Sequence, residues 1–167
     1  MYDKWLRHEL KITNVKVKRW VDWDLDGDSY EAFIEDRKVI IPRPVDDWSF
    51  LVALHELGHI STGDRMHAYL SEYNAEKWAI KRASESYQVQ CLEYVEDAKI
   101  YVKSHLIEDL IFTELALEKV KSYVLEWLGE TRGSILKHVL EIISNPTFDP
   151  KHRHIDFNYW YKLEINN

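Results

Sequence analysis

One stretch constrains this chain more than any other. Residues 48–60 read WSFLVALHELGHI and contain the pattern H-E-x-x-H, formed by His55, Glu56 and His59. On a helix, side chains four residues apart lie on one face, so both imidazoles can bind one metal ion with Glu56 beside them. A catalytic zinc needs protein ligands, an open position and a carboxylate that accepts a proton from water. We therefore expect His55 and His59 to be Zn²⁺ ligands and Glu56 to be a general base.

The residues around this motif favour a short, mostly buried helix. Asp46 or Asp47 can cap its beginning after two prolines, and Gly63 supplies a stop just beyond Ile60. Apolar residues recur there at helical spacing: Phe50, Leu51, Leu54 and Leu57. Buried histidines need polar partners, and a metal ion is one such partner. Chance occurrence of the short pattern is the alternative, and this context argues against it.

Three strands are predicted before this helix. Apolar residues at strand spacing indicate strands at 15–23, 30–34 and 38–41, although an arginine interrupts the first. We expect an antiparallel meander that leads into the helix, so the last strand could be a sheet edge that pairs with an extended peptide. Segment 22–28, DWDLDGD, resembles the start of a calcium loop. Phe33 stands where that loop needs a bidentate glutamate, which favours a hairpin turn instead.

A second helix, predicted from Ala68 to Glu85, carries the candidates for a third ligand. Glu72 and Glu76 lie on the same side of it as three small residues that allow another helix to approach closely: Ala75, Ala79 and Ala83. Zinc sites commonly complete two histidines with a glutamate. We favour Glu72 as the ligand and Glu76 as a hydrogen-bond partner of a histidine. The reverse assignment and a role for His67 stay open as alternatives.

The motifs on these two helices resemble those of the ImmA/IrrE family of zinc metallopeptidases. Its members share a HELGH helix followed by a helix with the pattern E-x-x-A-[N/D]-x-[F/W]-A. Here HELGH is followed by EYNAEKWA at 72–79. The approach, KVIIP at 38–42 and Ser-Phe at 49–50, resembles that of phage-encoded members, and the whole resemblance covers roughly residues 30–83.

This resemblance implies a zincin-like metallopeptidase fold and, in some members, cleavage of a helix-turn-helix repressor that silences a mobile element. By position it implies His55, His59 and Glu72 as metal ligands and Glu56 as the general base. Glu76 departs from the pattern, because the family usually has Asn or Asp there. The chain has no evident helix-turn-helix of its own.

A helical extension is predicted after the second helix. Residues 87–128 contain no glycine and no proline, and apolar residues recur every three or four positions. This pattern predicts one or two long helices that end at Gly129, and a further helix follows at 134–143. Such an apolar stripe is typical of a core or a helix–helix interface. We expect His105 and His138, which lie on these helices, to be structural.

The C-terminal residues alternate between apolar and polar side chains from 155 to 165, which predicts a strand with one buried face. This strand could add to the front sheet or pair with another molecule. Residues 151–154, KHRH, are better explained as a basic turn than as a minor metal site. We expect an α+β fold with a zincin-like core at 1–85, a helical extension packed on it at 86–145, and a C-terminal loop and strand at 146–167.

Composition excludes several classes of protein. The net charge of −7 argues against direct binding to nucleic acid, which relies on a basic surface. Cys91 is the single cysteine of the 167 residues, so they form no disulfide among themselves. The first residues, MYDKWLRHELK, contain no apolar signal core, and no run is long enough to span a membrane. We therefore expect a cytoplasmic location and no membrane partner.

The sequence thus predicts a zinc metallopeptidase that hydrolyses a peptide bond in a protein substrate, with a repressor or regulator of a mobile element as one candidate. The alternative is a non-catalytic, zinc-containing module that binds proteins through its long helices and C-terminal strand. Glu56 argues against this alternative, because a structural zinc site has no need of a base. The sequence leaves the oligomeric state open.

Overall fold

The computed structural model describes residues 1–22, 30–63, 67–146 and 148. In chain order, the elements in these residues are α1 (Tyr2–Ile12), β1 (Lys16–Val21), β2 (Glu31–Phe33), β3 (Lys38–Pro42), α2 (Asp47–Thr62), α3 (Ala68–Tyr87), α4 (Leu92–Phe112), a 3-10 turn (Leu117–Lys119), α5 (Ser122–Leu128) and α6 (Arg132–Ile143). This mostly helical arrangement with a small mixed sheet confirms the predicted α+β class. The chain forms two compact units: Met1–Arg65 with Ser71–Val95, and Met66–Leu70 with Glu96–Asn167.

The small sheet has the order β1–β3–β2, with β3 in the centre. β2 pairs antiparallel with β3, whereas β1 runs parallel to it. The predicted antiparallel meander is therefore wrong for β1, and the prediction that β3 could be a sheet edge is wrong as well. Alternating apolar residues define the two faces of a strand, but they do not tell on which side or in which direction a neighbour pairs.

Burial and register agree with the central position of β3. Val39, Ile40 and Ile41 are at most 8% exposed, as expected for a strand that is covered on both faces. In β1, the register with β3 shifts between Val17 and Arg19. This irregularity lies where Arg19 interrupts the apolar pattern of the sequence, and a bulge accounts for both observations.

α2 packs on β3 and begins and ends where the sequence predicts. The Asp46 carboxylate accepts a hydrogen bond from Ser49 N at 2.8 Å, and Ser49 Oγ accepts one from Asp46 N at 3.1 Å. This reciprocal capping box identifies Asp46 as the cap. Asp47 instead accepts a hydrogen bond of 2.6 Å from the Tyr2 hydroxyl of α1. α2 ends at Gly63, whose φ of 73° favours glycine.

A buried ion pair joins α1 to α3. The Glu9 carboxylate is fully buried, and its two oxygens lie 3.0 and 2.9 Å from Arg82 Nε. The Tyr87 hydroxyl also donates to Glu9. Only Glu9 is fully buried, since the Arg82 side chain is 34% exposed, and removing Arg82 would leave the Glu9 carboxylate buried without its cation. This network therefore ties the C-terminal half of α3 to the N-terminal helix.

The long apolar pattern after residue 87 forms α4 and α5, with a 3-10 turn between them. α4 ends at Phe112, where Thr113 Oγ1 donates to the Asp109 carbonyl at 2.6 Å and accepts from Leu115 N at 3.2 Å. Leu115 N thus bonds to a side chain instead of to a helix carbonyl, so the break needs no glycine or proline. α5 ends at Gly129 as predicted, with φ at 73°.

Several predicted features fall outside the described residues. They are the strand at 155–165, the basic segment 151–154 and all of the segment 22–28 except Asp22. The predicted division of the chain at residues 85 and 145 stays a prediction. Among the described helices, none combines the length and the apolar character needed to cross a membrane.

Candidate metal centre

The candidate metal centre lies where α2 and α3 pack closely. A Cβ atom at Gly58 would lie 2.7 Å from the Ala75 carbonyl oxygen and 2.9 Å from its Cα, closer than real Cβ atoms approach. Glycine at position 58 therefore permits this packing. Ala75, Ala79 and Ala83 are all fully buried on α3. The small residues that the sequence places on this helix are thus buried, and Ala75 lies at the close contact with Gly58.

Three potential ligand atoms converge beside this contact. His55 Nε2 and His59 Nε2 lie 3.0 Å apart on successive turns of α2. Glu72 Oε2, which α3 contributes one turn before Ala75, lies 3.2 Å from His55 Nε2 and 3.3 Å from His59 Nε2. Within the described residues, these three side chains form the group that could hold a metal ion.

The spacing of the three atoms fits a small four-coordinate cation. Ligands bound tetrahedrally at about 2.1 Å stand about 3.4 Å from one another, close to the 3.0–3.3 Å seen here. The side chains of His55, His59 and Glu72 are 9, 13 and 15% exposed. Glu72 Oε2 is buried, yet it accepts no well-formed hydrogen bond from the residues that the structure describes. A buried carboxylate oxygen in that position is costly unless a cation compensates it.

A second layer of polar groups surrounds the two histidines. Glu76 Oε1 lies 3.0 Å from His55 Nδ1, and the Tyr94 hydroxyl donates to Glu76 Oε2 at 3.0 Å. Ser71 Oγ lies 3.5 Å from His59 Nδ1. A carboxylate at Nδ1 keeps the proton on that nitrogen and leaves the Nε2 lone pair available for a metal.

Glu56 occupies the same buried environment. Burial is the largest influence on the pKa of its carboxyl and raises it. His55 and His59 lower this pKa, Glu72 and Glu76 raise it, and the net result is a pKa of about 7. The charges of all four neighbours therefore act on Glu56. A carboxylate whose pKa lies near neutrality can both accept and return a proton, which is the property of a general base that later acts as an acid.

The pKa values of Glu72 and His55 are both shifted in the direction that favours positive charge in the centre. Burial alone would raise the pKa of Glu72, but His55 and His59, within 3.3 Å of its carboxylate, outweigh burial and hold this pKa far below its usual range. Burial would lower the pKa of His55, but Glu76, Glu72 and Glu56 outweigh it and raise this pKa well above its usual value. Three carboxylates around two imidazoles thus favour a cation among them.

The remaining histidine candidates lie elsewhere. His67, the competing third ligand of the sequence analysis, is not in the group of three donors. In the second unit, His105 Nδ1 lies 3.6 Å from Glu108 and His138 Nδ1 lies 3.7 Å from Glu141. The structure thus brings together His55, His59 and Glu72 and places Glu76 against His55. The assignment of the three donors as ligands stays a prediction.

Two residues of the second layer, Ser71 and Tyr94, were not predicted from the sequence. Ser71 immediately precedes Glu72, so its position beside a candidate ligand was a usable signal. Tyr94 lies 18 residues after Glu76, in the first turn of the next helix. No spacing rule connects these two positions, because the path between them passes through the end of α3 and a turn.

No known family model, curated protein or solved structure matches this chain. The resemblance to the ImmA/IrrE family therefore stays a prediction that depends on the motifs at 55–59 and 72–79.

Proposed function

We propose that this protein is a zinc-dependent metallopeptidase that hydrolyses a peptide bond in a protein substrate. The observation that carries the proposal is the convergence of His55 Nε2, His59 Nε2 and Glu72 Oε2 within 3.0–3.3 Å, next to the buried Glu56. Three protein donors leave one position of a tetrahedral ion open, which is typical of catalytic zinc sites. A fourth protein ligand would instead favour a structural site.

In the proposed reaction, each residue of the centre has a distinct role. Zinc held by His55, His59 and Glu72 would supply Lewis acidity toward water and the scissile carbonyl. Glu56 accepts a proton from the attacking water as the carbon–oxygen bond forms. It then donates this proton to the amine nitrogen as the carbon–nitrogen bond breaks. Glu76 orients His55 by accepting a hydrogen bond from its Nδ1–H.

The resemblance to the ImmA/IrrE family extends this proposal to the fold and the substrate class. It supports a zincin-like core and a substrate that represses or regulates a mobile element. The net charge of −7 is consistent with a protein that acts on such a regulator rather than on nucleic acid directly.

Proteolysis of candidate regulators tests the proposed reaction. Each candidate protein is incubated with the zinc-loaded wild type or with Glu56→Gln, and the products are identified by mass spectrometry. We expect cleavage by the wild type and a loss of several orders of magnitude in Glu56→Gln, since base catalysis and water activation act together. Glu56→Gln should retain about one zinc per chain, because Glu56 is not a ligand. Cleavage at the wild-type rate by this variant would show that the mechanism is wrong.

A further inference from the structure

A continuous row of buried polar groups leads from the metal centre to Tyr94. His55 Nδ1 lies 3.0 Å from one oxygen of Glu76, and the other oxygen accepts a hydrogen bond of 3.0 Å from the Tyr94 hydroxyl. His55, Glu76 and Tyr94 are 7, 5 and 5% exposed, so water has little access to any of them. Each oxygen of the Glu76 carboxylate thus has a different partner.

The ring of Tyr94 is held by the helix that carries the histidines. It makes an edge-to-face contact with Trp48 of α2, with ring centroids 5.4 Å apart and an interplanar angle of 79°. Trp48 lies in the first turn of α2, two turns before His55. Tyr94 belongs to the same compact unit as the metal centre. The hydroxyl therefore approaches Glu76 from a ring whose position is tied to α2.

We propose that Tyr94 is a positioning residue of the metal centre, which acts through Glu76 on His55. This inference rests on the proposed metal site. A carboxylate bonded through one oxygen can still rotate about its last side-chain bond, whereas bonds to both oxygens define its plane. With that plane defined, Glu76 Oε1 stays directed at His55 Nδ1, and His55 Nε2 stays directed at His59 and Glu72.

The chemistry of the phenol suits this role. A neutral donor orients the carboxylate without neutralising it, so the negative charge of Glu76 continues to act on His55. A lysine or arginine in its place would form an ion pair with Glu76 and compete for that charge. The Tyr94 hydroxyl therefore orients the Glu76 carboxylate and leaves its negative charge unchanged.

The variant Tyr94→Phe tests the inference, because it removes the hydroxyl and keeps the ring against Trp48. We expect zinc affinity, measured by competition with a chelator, to fall about tenfold, the lower limit for the loss of an outer partner of a metal ligand. The visible absorption of the Co²⁺-substituted protein should change as well, because the His55 ring is less well oriented.

Tyr87→Phe is the matched control. The Tyr87 hydroxyl also donates to a buried glutamate, but this is Glu9, which pairs with Arg82 rather than with a histidine. Both variants lose a phenol–carboxylate hydrogen bond, so both are expected to unfold at a lower temperature. Only Tyr94→Phe should alter zinc affinity and the Co²⁺ spectrum, which a merely structural role would leave unchanged.

A double-mutant cycle with Glu76→Ala shows whether Tyr94 acts through Glu76. In the Glu76→Ala background, Tyr94→Phe should cause no further loss of zinc affinity. An equal loss in both backgrounds would overturn the inference, and so would a wild-type affinity and Co²⁺ spectrum in Tyr94→Phe. If Glu76→Ala does not fold, the zinc affinities and Co²⁺ spectra of Tyr94→Phe and Tyr87→Phe test the inference. The proposed function fails in a different way, namely if His55→Ala retains all its zinc.

Discussion

Gly58 of α2 and Ala75 of α3 approach each other so closely that a Cβ atom on Gly58 would lie 2.7 Å from the Ala75 carbonyl oxygen. Ala75 is one turn after Glu72 on α3, and Gly58 immediately precedes His59 on α2. The separation of the two backbones at this point therefore governs how far Glu72 Oε2 lies from the histidine nitrogens. A backbone contact of this kind cannot relax by a change of rotamer.

Gly58→Ala should separate the two helices and damage the metal centre. Inserting a methyl group into a closely packed site typically costs about 1–3 kcal/mol. We expect a lower melting temperature in the presence of a chelator and a large loss of zinc affinity, because Glu72 moves away from His55 and His59. Gly133→Ala is the control, since its Cβ would meet Thr131 Oγ1 at an ordinary 3.7 Å. Wild-type stability and zinc affinity in Gly58→Ala would contradict this account.

The purified wild type should hold about one zinc per chain, since a His₂Glu site binds one ion. His55→Ala and His59→Ala should each abolish this zinc, because each leaves too few protein donors for stable binding. Metal content after dialysis, measured by mass spectrometry, checks this expectation. His105→Ala and His138→Ala serve as controls and should keep the wild-type zinc content. Full retention of zinc in both His55→Ala and His59→Ala would rule out the site.

Loss of Glu72 should weaken zinc binding more than loss of Glu76. Glu72→Ala removes a proposed ligand and should yield a nearly zinc-free protein in competition with a chelator. Glu76→Ala removes the partner of His55 and should weaken zinc binding about 10–100-fold, but the site should still bind zinc. The reverse ranking would move the ligand role to Glu76. Equal and negligible effects would show that neither glutamate is a ligand and would return His67 to consideration.

Glu130 should contribute stability that depends on pH. Its carboxylate lies 2.7 Å from Lys103 Nζ and accepts a hydrogen bond from Ser134 Oγ. Burial raises the pKa of Glu130, but Lys103 and Ser134 outweigh burial, and the net effect is a lowered pKa. A lowered pKa in the folded state gives stability that is present above the unfolded pKa, about 4.3, and is lost as the pH falls through the folded value.

Glu130→Gln should therefore lower the free energy of unfolding at pH 7, and its difference from the wild type should shrink below about pH 4. Urea unfolding at several pH values, with a chelator present to exclude metal effects, measures this difference. The exposed Glu126 supplies the control variant Glu126→Gln, whose free energy of unfolding at pH 7 should stay close to that of the wild type. A Glu130→Gln difference that is the same at pH 7 and at about pH 3 would contradict the prediction.

Local rules account for what was predicted correctly about the fold. The cap at Asp46 and the stops at Gly63 and Gly129 follow from preferences of single residues near helix ends. The same rules did not define the exact ends of α3 and α4. α3 is followed by Gln88 with φ at 57°, and Thr113 ends α4 through its side chain. Neither residue marks a helix end strongly enough to be read from sequence.

That His55, Glu56 and His59 share a short helix could be predicted from the sequence, since it follows from 3.6 residues per turn and a few capping residues. Which distant groups contact them depends on tertiary packing. It places Glu72 Oε2 within 3.3 Å of both histidine nitrogens, links Tyr94 to Glu76, and makes β3 the central strand. These relationships depend on how elements far apart in the chain pack, and helical or strand periodicity carries no information about a neighbour's identity or direction.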